Sequence, residues 1–142
     1  MHRSLLRRIG VPALFTFGVL YASAPVFAHD GEGLKVTPLM QKSFPDMPGK
    51  DGLVLTVEFA PGFVDQPHRH DAHVFVYMLE GSIETRVNSG PLVTLNPGDV
   101  FYETPGDIHS ETRNVSATKP AKFLVFFVKD HNTPPVLPAN KN

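Results

Sequence analysis

The sequence predicts an all-β domain, folded as a sandwich or a barrel. Apolar and polar residues alternate in short runs, which is typical of strands with one buried face. Pro, Gly, Asn or Asp interrupts these runs at intervals of roughly eight to twelve residues, the spacing of short strands joined by turns. No long stretch carries the apolar stripe of a helix. Together these observations favour short antiparallel strands that enclose one core.

About eight segments have strand character, and most are separated by residues that favour turns. In chain order the predicted strands are 34–39, 53–59, 73–79, 83–87, 92–95, 100–103, 109–113 and 123–128. Glu80-Gly81-Ser82 predicts a tight connection between two of them, and Asn96-Pro97-Gly98-Asp99 predicts a turn whose glycine can adopt a positive φ. The strands therefore follow one another through short connections.

The first 28 residues resemble a secretory signal peptide. Arg3, Arg7 and Arg8 precede an apolar run over residues 9–21, and small residues precede a cleavage site after Ala28. We therefore expect a periplasmic or secreted protein, exported by either the general or the twin-arginine route.

A single membrane anchor is the alternative for this segment. Residues 9–28 approach the length that spans a bilayer, although Pro12 and Pro25 interrupt the run and no basic cluster follows it. In both cases the rest of the chain works outside the cytoplasm.

The remaining chain divides into three predicted parts. Residues 29–52 form an N-terminal strand and loop, and residues 53–128 form the barrel. Residues 129–142 form a flexible Pro-rich tail that contains Pro134, Pro135 and Pro138.

Charge and cysteine content exclude several classes of function. The 142 residues include 13 basic and 14 acidic side chains and no cysteine. Cleavage after Ala28 removes three arginines and no acid, so the net charge changes from −1 to −4. An acidic domain of this kind is a poor partner for nucleic acid and for anionic membranes. Without disulfides, its stability must come from a buried core.

Three histidines suggest a metal site. His68 and His70 lie two positions apart in Pro67-His68-Arg69-His70, so in extended chain they share one face with Cα atoms about 6.6 Å apart. His109, from a distant segment, would close one side of a coordination sphere. The alternative is that these are surface histidines unconnected with a metal.

Two blocks of the sequence resemble the signatures of the cupin superfamily. Gly62, His68 and His70, followed by the run 77–81 (Tyr-Met-Leu-Glu-Gly), resemble the first signature. Gly98-Asp99, Pro105-Gly106 and His109 resemble the second, and the likeness covers residues 53–128. The resemblance implies a small bacterial single-domain cupin with a double-stranded β-helix, or jelly roll. It also implies a homodimer and a divalent transition metal held by His68, His70 and His109.

The identity of the metal stays open at this point. Neutral imidazole suits iron, manganese, nickel, copper and zinc alike, so these ions are not distinguished. Because all three rings must be unprotonated, metal affinity is expected to fall as the pH drops through the histidine range near 6.5.

One residue departs from the cupin pattern. The family's glutamate ligand would fall at position 74, where this chain has Val74. The site then works with three histidines and water, recruits a carboxylate from elsewhere, or is weak. Glu103 is the favoured substitute, as an extra ligand or an acid/base group, because it precedes the turn that presents His109. His73 is a second candidate, but neighbouring strand residues face opposite ways, so it would need a bulge.

Two classes of function follow from these residues. The first is a metal-dependent enzyme, similar to cupin dioxygenases or isomerases, that acts on a small organic molecule. The second is a non-catalytic module that binds or senses a metal or a small ligand. Fold resemblance does not separate them, because cupins host unrelated activities.

Overall fold

The computed structural model describes residues 31–140, which form strands and turns without a helix. The expected signal peptide and its cleavage site lie outside these residues. The strands are β1 (Leu34–Ser43), β2 (Lys50–Phe59), β3 (His68–Arg69), β4 (Ala72–Glu80), β5 (Ile83–Val87), β6 (Val93–Leu95), β7 (Val100–Glu103), β8 (Ile108–Asn114), β9 (Ala121–Asp130) and β10 (Leu137–Pro138). No helix in this part of the chain is long and apolar enough to cross a membrane.

The strands form two five-stranded antiparallel sheets. One has the order β1-β2-β9-β4-β7, and the other has the order β10-β3-β8-β5-β6. Their inner faces enclose the core and a cavity, which confirms the predicted all-β jelly roll. All eight predicted strands are present, and several are longer than the apolar pattern indicates. β1, for example, continues to Ser43, which pairs with Asp51 although its side chain is exposed.

Strand β4 shows how the sequence selects its buried face. Val74, Val76 and Met78 are buried, whereas Phe75 and Tyr77 alternate with them and are about half exposed on the outer face. This is the alternation expected of a strand with one face in the core. Strand β9, which pairs with β4 in the same sheet, also turns apolar residues inward. Both strands therefore contribute apolar side chains to the core.

The turn between β4 and β5 requires glycine. Gly81 has a φ of 68°, and a Cβ atom there would lie 2.5 Å from the carbonyl oxygen of Pro120. A side chain at this position would therefore clash with backbone.

A buried carboxylate ties the β1–β2 hairpin to the end of β9. Asp51 accepts hydrogen bonds from Gln41 Nε2 at 2.7 Å, Ser43 Oγ at 2.8 Å and His131 Nδ1 at 3.0 Å. The hydrogen bond from His131, followed by that from Gln41, lowers the pKa of Asp51 from 3.8 to about 2. Sequence reasoning gave His131 no role, because nothing in the tail's composition indicates a partner 80 residues away.

The C-terminal segment lies against the barrel. In β10, Leu137 pairs with Arg69 and Pro138 pairs with His68 of β3. β9 itself runs to Asp130, two residues beyond the predicted end of the barrel. The flexibility of the tail stays a prediction, while its path is now defined and passes beside two of the histidines singled out above.

Candidate metal centre

Two neighbouring strands bring the three histidines together. His68 lies in β3 directly opposite His109 of β8, and His70 follows β3. One ring nitrogen from each of the three lies within 4.8 Å of the others. His70 and His109 are buried, and His68 is half-buried. The spacing argument thus correctly predicts that these side chains meet.

A glycine turn fixes His109 beside His70. The amide of Gly106 donates a 2.7 Å hydrogen bond to the carbonyl oxygen of His70, and Gly106 has a φ of 87°. Asp107 closes the same turn by accepting hydrogen bonds from the amide and the hydroxyl of Thr104, both at 2.8 Å. The backbone therefore couples the loop after β3 to the start of β8.

Two histidines use Nδ1 to contact backbone carbonyls. His68 Nδ1 donates to the carbonyl oxygen of Gln66 at 2.8 Å, and His70 Nδ1 donates to that of Pro135 at 2.5 Å. A carbonyl accepts but never donates, so each Nδ1 carries the proton. The lone pair of each ring then lies on Nε2, as in histidines that bind metals.

His109 Nδ1 lies beside two threonine hydroxyls. Thr112 donates its hydroxyl proton to the carbonyl oxygen of Glu111 at 2.9 Å, so the Thr112 oxygen can accept from His109 Nδ1 at 3.0 Å. The Thr85 hydroxyl lies 3.2 Å from the same Nδ1 and 3.0 Å from the Thr112 hydroxyl. Protonation of Nδ1 towards Thr112 gives His109 the tautomer of the other two histidines, with its lone pair on Nε2.

Burial favours the neutral rings that a metal ion requires. Burial lowers the pKa of His70 from 6.5 to about 4, against the opposing effects of the Glu103 carboxylate and the Pro135 carbonyl. Burial also lowers the pKa of His68. Because both pKa values lie below the ordinary histidine value, protons compete with a metal ion at these two rings only at a lower pH than the sequence alone suggests.

Glu103 completes the group. Its side chain is 1% exposed, and Oε2 lies 2.7 Å from His109 Nε2 and 3.9 Å from His70 Nε2. Neither carboxylate oxygen has a hydrogen-bond partner among the described residues. A buried carboxylate without partners is costly, and here its Oε2 faces the Nε2 atoms of two imidazoles. A divalent cation placed among these atoms would satisfy all of them, so the donor set fits a metal ion.

Val74 and Glu103 are directly opposed on neighbouring strands. They form a cross-strand pair between β4 and β7, and Val74 is 1% exposed. Cβ atoms of such pairs are about 5 Å apart, so β7 delivers its carboxylate close to the position where the cupin pattern expects one. His73 faces the other way, is exposed and hydrogen-bonds through Nδ1 to the Tyr102 hydroxyl at 2.7 Å.

A cavity of about 490 Å³ opens beside the candidate ligands. Besides the three histidines and Glu103, its walls are mostly aliphatic and aromatic side chains from both sheets. The tail contributes part of the wall, from Pro134 to Pro138. Small-molecule sites commonly have this size and composition.

Comparison with known families and structures agrees with this architecture. The family model described as "Cupin domain" matches residues 55–127, more than half of the chain and including all four candidate ligands. No curated protein sequence matches. Among solved structures, a cupin superfamily protein from Desulfitobacterium hafniense has a TM-score of 0.57 and 16% identity, covering 72% of this chain and 84% of its own.

Enzymes are among the similar structures. The polyketide cyclase RemF from Streptomyces resistomycificus has a TM-score of 0.58 and 20% identity, over 78% of this chain and 74% of its own. The DMSP lyase DddQ from Ruegeria pomeroyi has a TM-score of 0.61 and 22% identity, over 78% of this chain and 55% of its own. At these identities the likeness concerns the fold.

Proposed function

The chain belongs to the cupin family, and on this premise we propose that it binds one divalent transition metal ion through His68, His70, His109 and Glu103. One observation carries the proposal above the others. Among the described residues the buried carboxylate of Glu103 has no hydrogen-bond partner, yet its Oε2 lies 2.7 Å from His109 Nε2. A divalent cation bound between these atoms would make the arrangement favourable.

The donor set limits the chemistry. Three neutral imidazoles and one carboxylate suit iron, manganese, nickel, copper or zinc, and leave positions open on an ion that takes more than four ligands. When bound, the ion would polarise an oxygen atom of a small molecule or activate dioxygen. The chain's own contribution is to hold the imidazoles in one tautomer, to supply one negative charge and to shield the site with apolar walls.

We propose an enzyme acting on a small organic molecule, of the dioxygenase or isomerase type, as the first candidate. The names of two similar structures, a cyclase and a lyase, support an enzyme, and the dioxygenase or isomerase type rests on the expected metal chemistry. A non-catalytic module that binds a metal or a small ligand is the second candidate. Its support is that, once the four ligands are assigned, Asp65 is the only other acidic, histidine or basic side chain among the described residues that line the cavity, so few groups there could move a proton. Dioxygen uptake and product analysis with phenolic and small keto compounds separate the two candidates, because a pure binder consumes no dioxygen and converts none of these compounds.

Element analysis of untagged protein tests the metal site. We expect about one equivalent of transition metal in the wild type and a strong loss in His70→Ala and in His109→Ala. His131→Ala is the matched control, because this histidine hydrogen-bonds to Asp51 and belongs to no metal-binding group. Equal metal content in all four samples would refute the assignment.

Export and pairing are also proposed. The N-terminal segment supports secretion with cleavage after Ala28, which mass spectrometry of the mature N-terminus would test.

The exposed aromatic face formed by Phe75, Tyr77 and Tyr102 supports a homodimer. Light scattering should give twice the chain mass for the wild type and the single mass for Phe75→Glu, whereas a monomeric wild type would end this part of the proposal.

A further inference from the structure

The cavity changes character with distance from the candidate ligands. On the sheet that contains β4, β7 and β9, the inward residues form successive rows because their strands pair in register. The first row contains Glu103, Val74 and Phe127. The second contains Phe101, Val76 and Val125, and the third contains Met78, Phe123 and Val57. Rows two residues apart are separated by about 6.6 Å, so the carboxylate row is followed by more than 10 Å of apolar wall.

The opposite sheet follows the same gradient. His68 and His109 lie at the level of the ligands, and Thr85 and Thr112 form the next pair. The threonine hydroxyls are already bonded to each other and to His109. Beyond them, Ile83 pairs with Leu95, and both are buried. Beyond the threonine pair, the described side chains of these strands that line the cavity, Ile83 and Leu95, are therefore apolar.

The cavity also lacks a positive charge of its own. No lysine or arginine is among the residues of the described chain that line it, whereas Asp65 and Glu103 are. A molecule whose two carboxylates are too far apart to reach the same ion could place one on the metal, but the second would face apolar side chains without a counter-charge. Burial of such a charge is strongly unfavourable.

From this gradient we infer that the site takes an uncharged molecule with one oxygen-bearing head and an apolar body, such as an alkyl- or aryl-substituted phenol, catechol or enol. The head reaches the candidate ligands, and the body fills the rows beyond Val76. Only the part of the inference that concerns the oxygen-bearing head rests on the proposed metal site. The selection of the body depends on the walls.

Calorimetry with three probes tests the inference on the whole mature protein. Zinc-loaded and metal-free protein are titrated with catechol, 4-tert-butylcatechol and terephthalate, without oxygen so that no redox reaction intervenes. We expect 4-tert-butylcatechol to bind the zinc-loaded protein at least about tenfold more tightly than catechol or terephthalate, because the butyl group leaves water for the apolar rows. Terephthalate cannot place both carboxylates on one ion, so its binding as tightly as 4-tert-butylcatechol would overturn the inference.

A substitution that fills part of the cavity provides a second test. Val57→Phe adds volume in the third row, away from the ligands, and should remove most of the advantage of 4-tert-butylcatechol over catechol while zinc content stays unchanged. Val115→Phe is the matched control, because Val115 is exposed and outside the cavity wall. Circular dichroism checks folding, and if Val57→Phe does not fold, the three-probe series on the wild type decides.

The two proposals fail in different ways. If zinc does not bind but the metal-free protein still prefers 4-tert-butylcatechol to catechol by about tenfold, the metal proposal is wrong and the apolar body is supported. If zinc binds through the four ligands but the butyl group adds no affinity, the metal proposal survives and the inference is overturned.

Discussion

Glu103 supplies the negative charge that Val74 does not. The two residues face each other across β4 and β7, so moving the carboxylate from one strand to its partner keeps it near the imidazoles. The site retains three neutral donors and one anionic donor, which suits a divalent ion. This exchange gives a physical reason to expect a working site despite the departure from the cupin pattern.

Replacing Glu103 by glutamine should weaken metal binding and leave the fold intact. Glutamine preserves the volume of the buried side chain but removes its charge, so the dissociation constant for the metal should rise by at least about tenfold, the range seen when groups around metal ligands are lost. The melting temperature of the metal-free protein should stay level or rise, because an unpaired buried carboxylate is removed. Chelator competition and thermal melts measure the two effects.

Glu80→Gln is the control for this substitution. Glu80 undergoes the same chemical change at an exposed strand end. An unchanged metal affinity in Glu103→Gln would show that the carboxylate is not a ligand.

The sequence does not determine on which face of β7 the side chain of Glu103 lies. In the run Val100 to Glu103 three residues are apolar or aromatic, so alternation does not fix which pair faces inward. A purely hydrophobic criterion would turn Val100 and Tyr102 inward, yet they are 73% and 47% exposed. By contrast, alternation correctly predicts that His73 faces outward, because Val74 and Val76 anchor the phase of β4.

The two shortest strands, β3 and β10, border the site: β3 contains His68, and β10 pairs with it. Each has two residues, too few for any periodic signal, and each exists because its neighbours align it. The tail's prolines predict an irregular segment, which is consistent with its limited pairing. A proline lacks an amide hydrogen but retains its carbonyl, and the carbonyl of Pro135 is the group that orients His70.

Removing residues 134–142 should therefore reduce metal affinity. His70 would lose the acceptor that holds its Nδ1 proton, and the cavity would lose part of its wall. Loss of such a supporting contact typically costs 10- to 100-fold in affinity, so a decrease of about tenfold or more is expected. Removing residues 139–142 keeps Pro135 and β10 and is the matched control. Equal affinities in both truncations, measured by chelator competition, would contradict this role of the tail.

The arrangement of the two sheets places the candidate ligands on opposite walls. Glu103 belongs to the sheet of β4 and β9, whereas His68 and His109 belong to the sheet of β3 and β8. Local alternation and turn residues in the sequence predict the class of fold and the eight longer strands. They do not predict the order of strands, because pairs such as Lys50 with Asp130 lie 80 residues apart and depend on the shape of the whole core.

The contact between Asp51 and the end of β9 predicts how the whole molecule responds to acid. The folded-state pKa of Asp51 is about 2, below the ordinary value of 3.8, so the unfolded chain takes up this proton more readily. The stabilisation is therefore complete above about pH 5 and is lost as the pH falls from about 4 towards 2.

Asp51→Asn should lower the free energy of unfolding by roughly 1.5–3 kcal/mol at pH 7, the usual contribution of a hydrogen bond to a charged group. The difference from the wild type should shrink as the pH approaches 2, since protonation removes the same charge from the wild type. Asp46→Asn, at an exposed turn between β1 and β2, should show little difference at either pH. Urea unfolding of the three proteins at pH 7 and near pH 2.5 provides the measurement. A wild-type advantage over Asp51→Asn that is constant with pH would mean that the carboxylate's charge contributes nothing to holding the hairpin against β9.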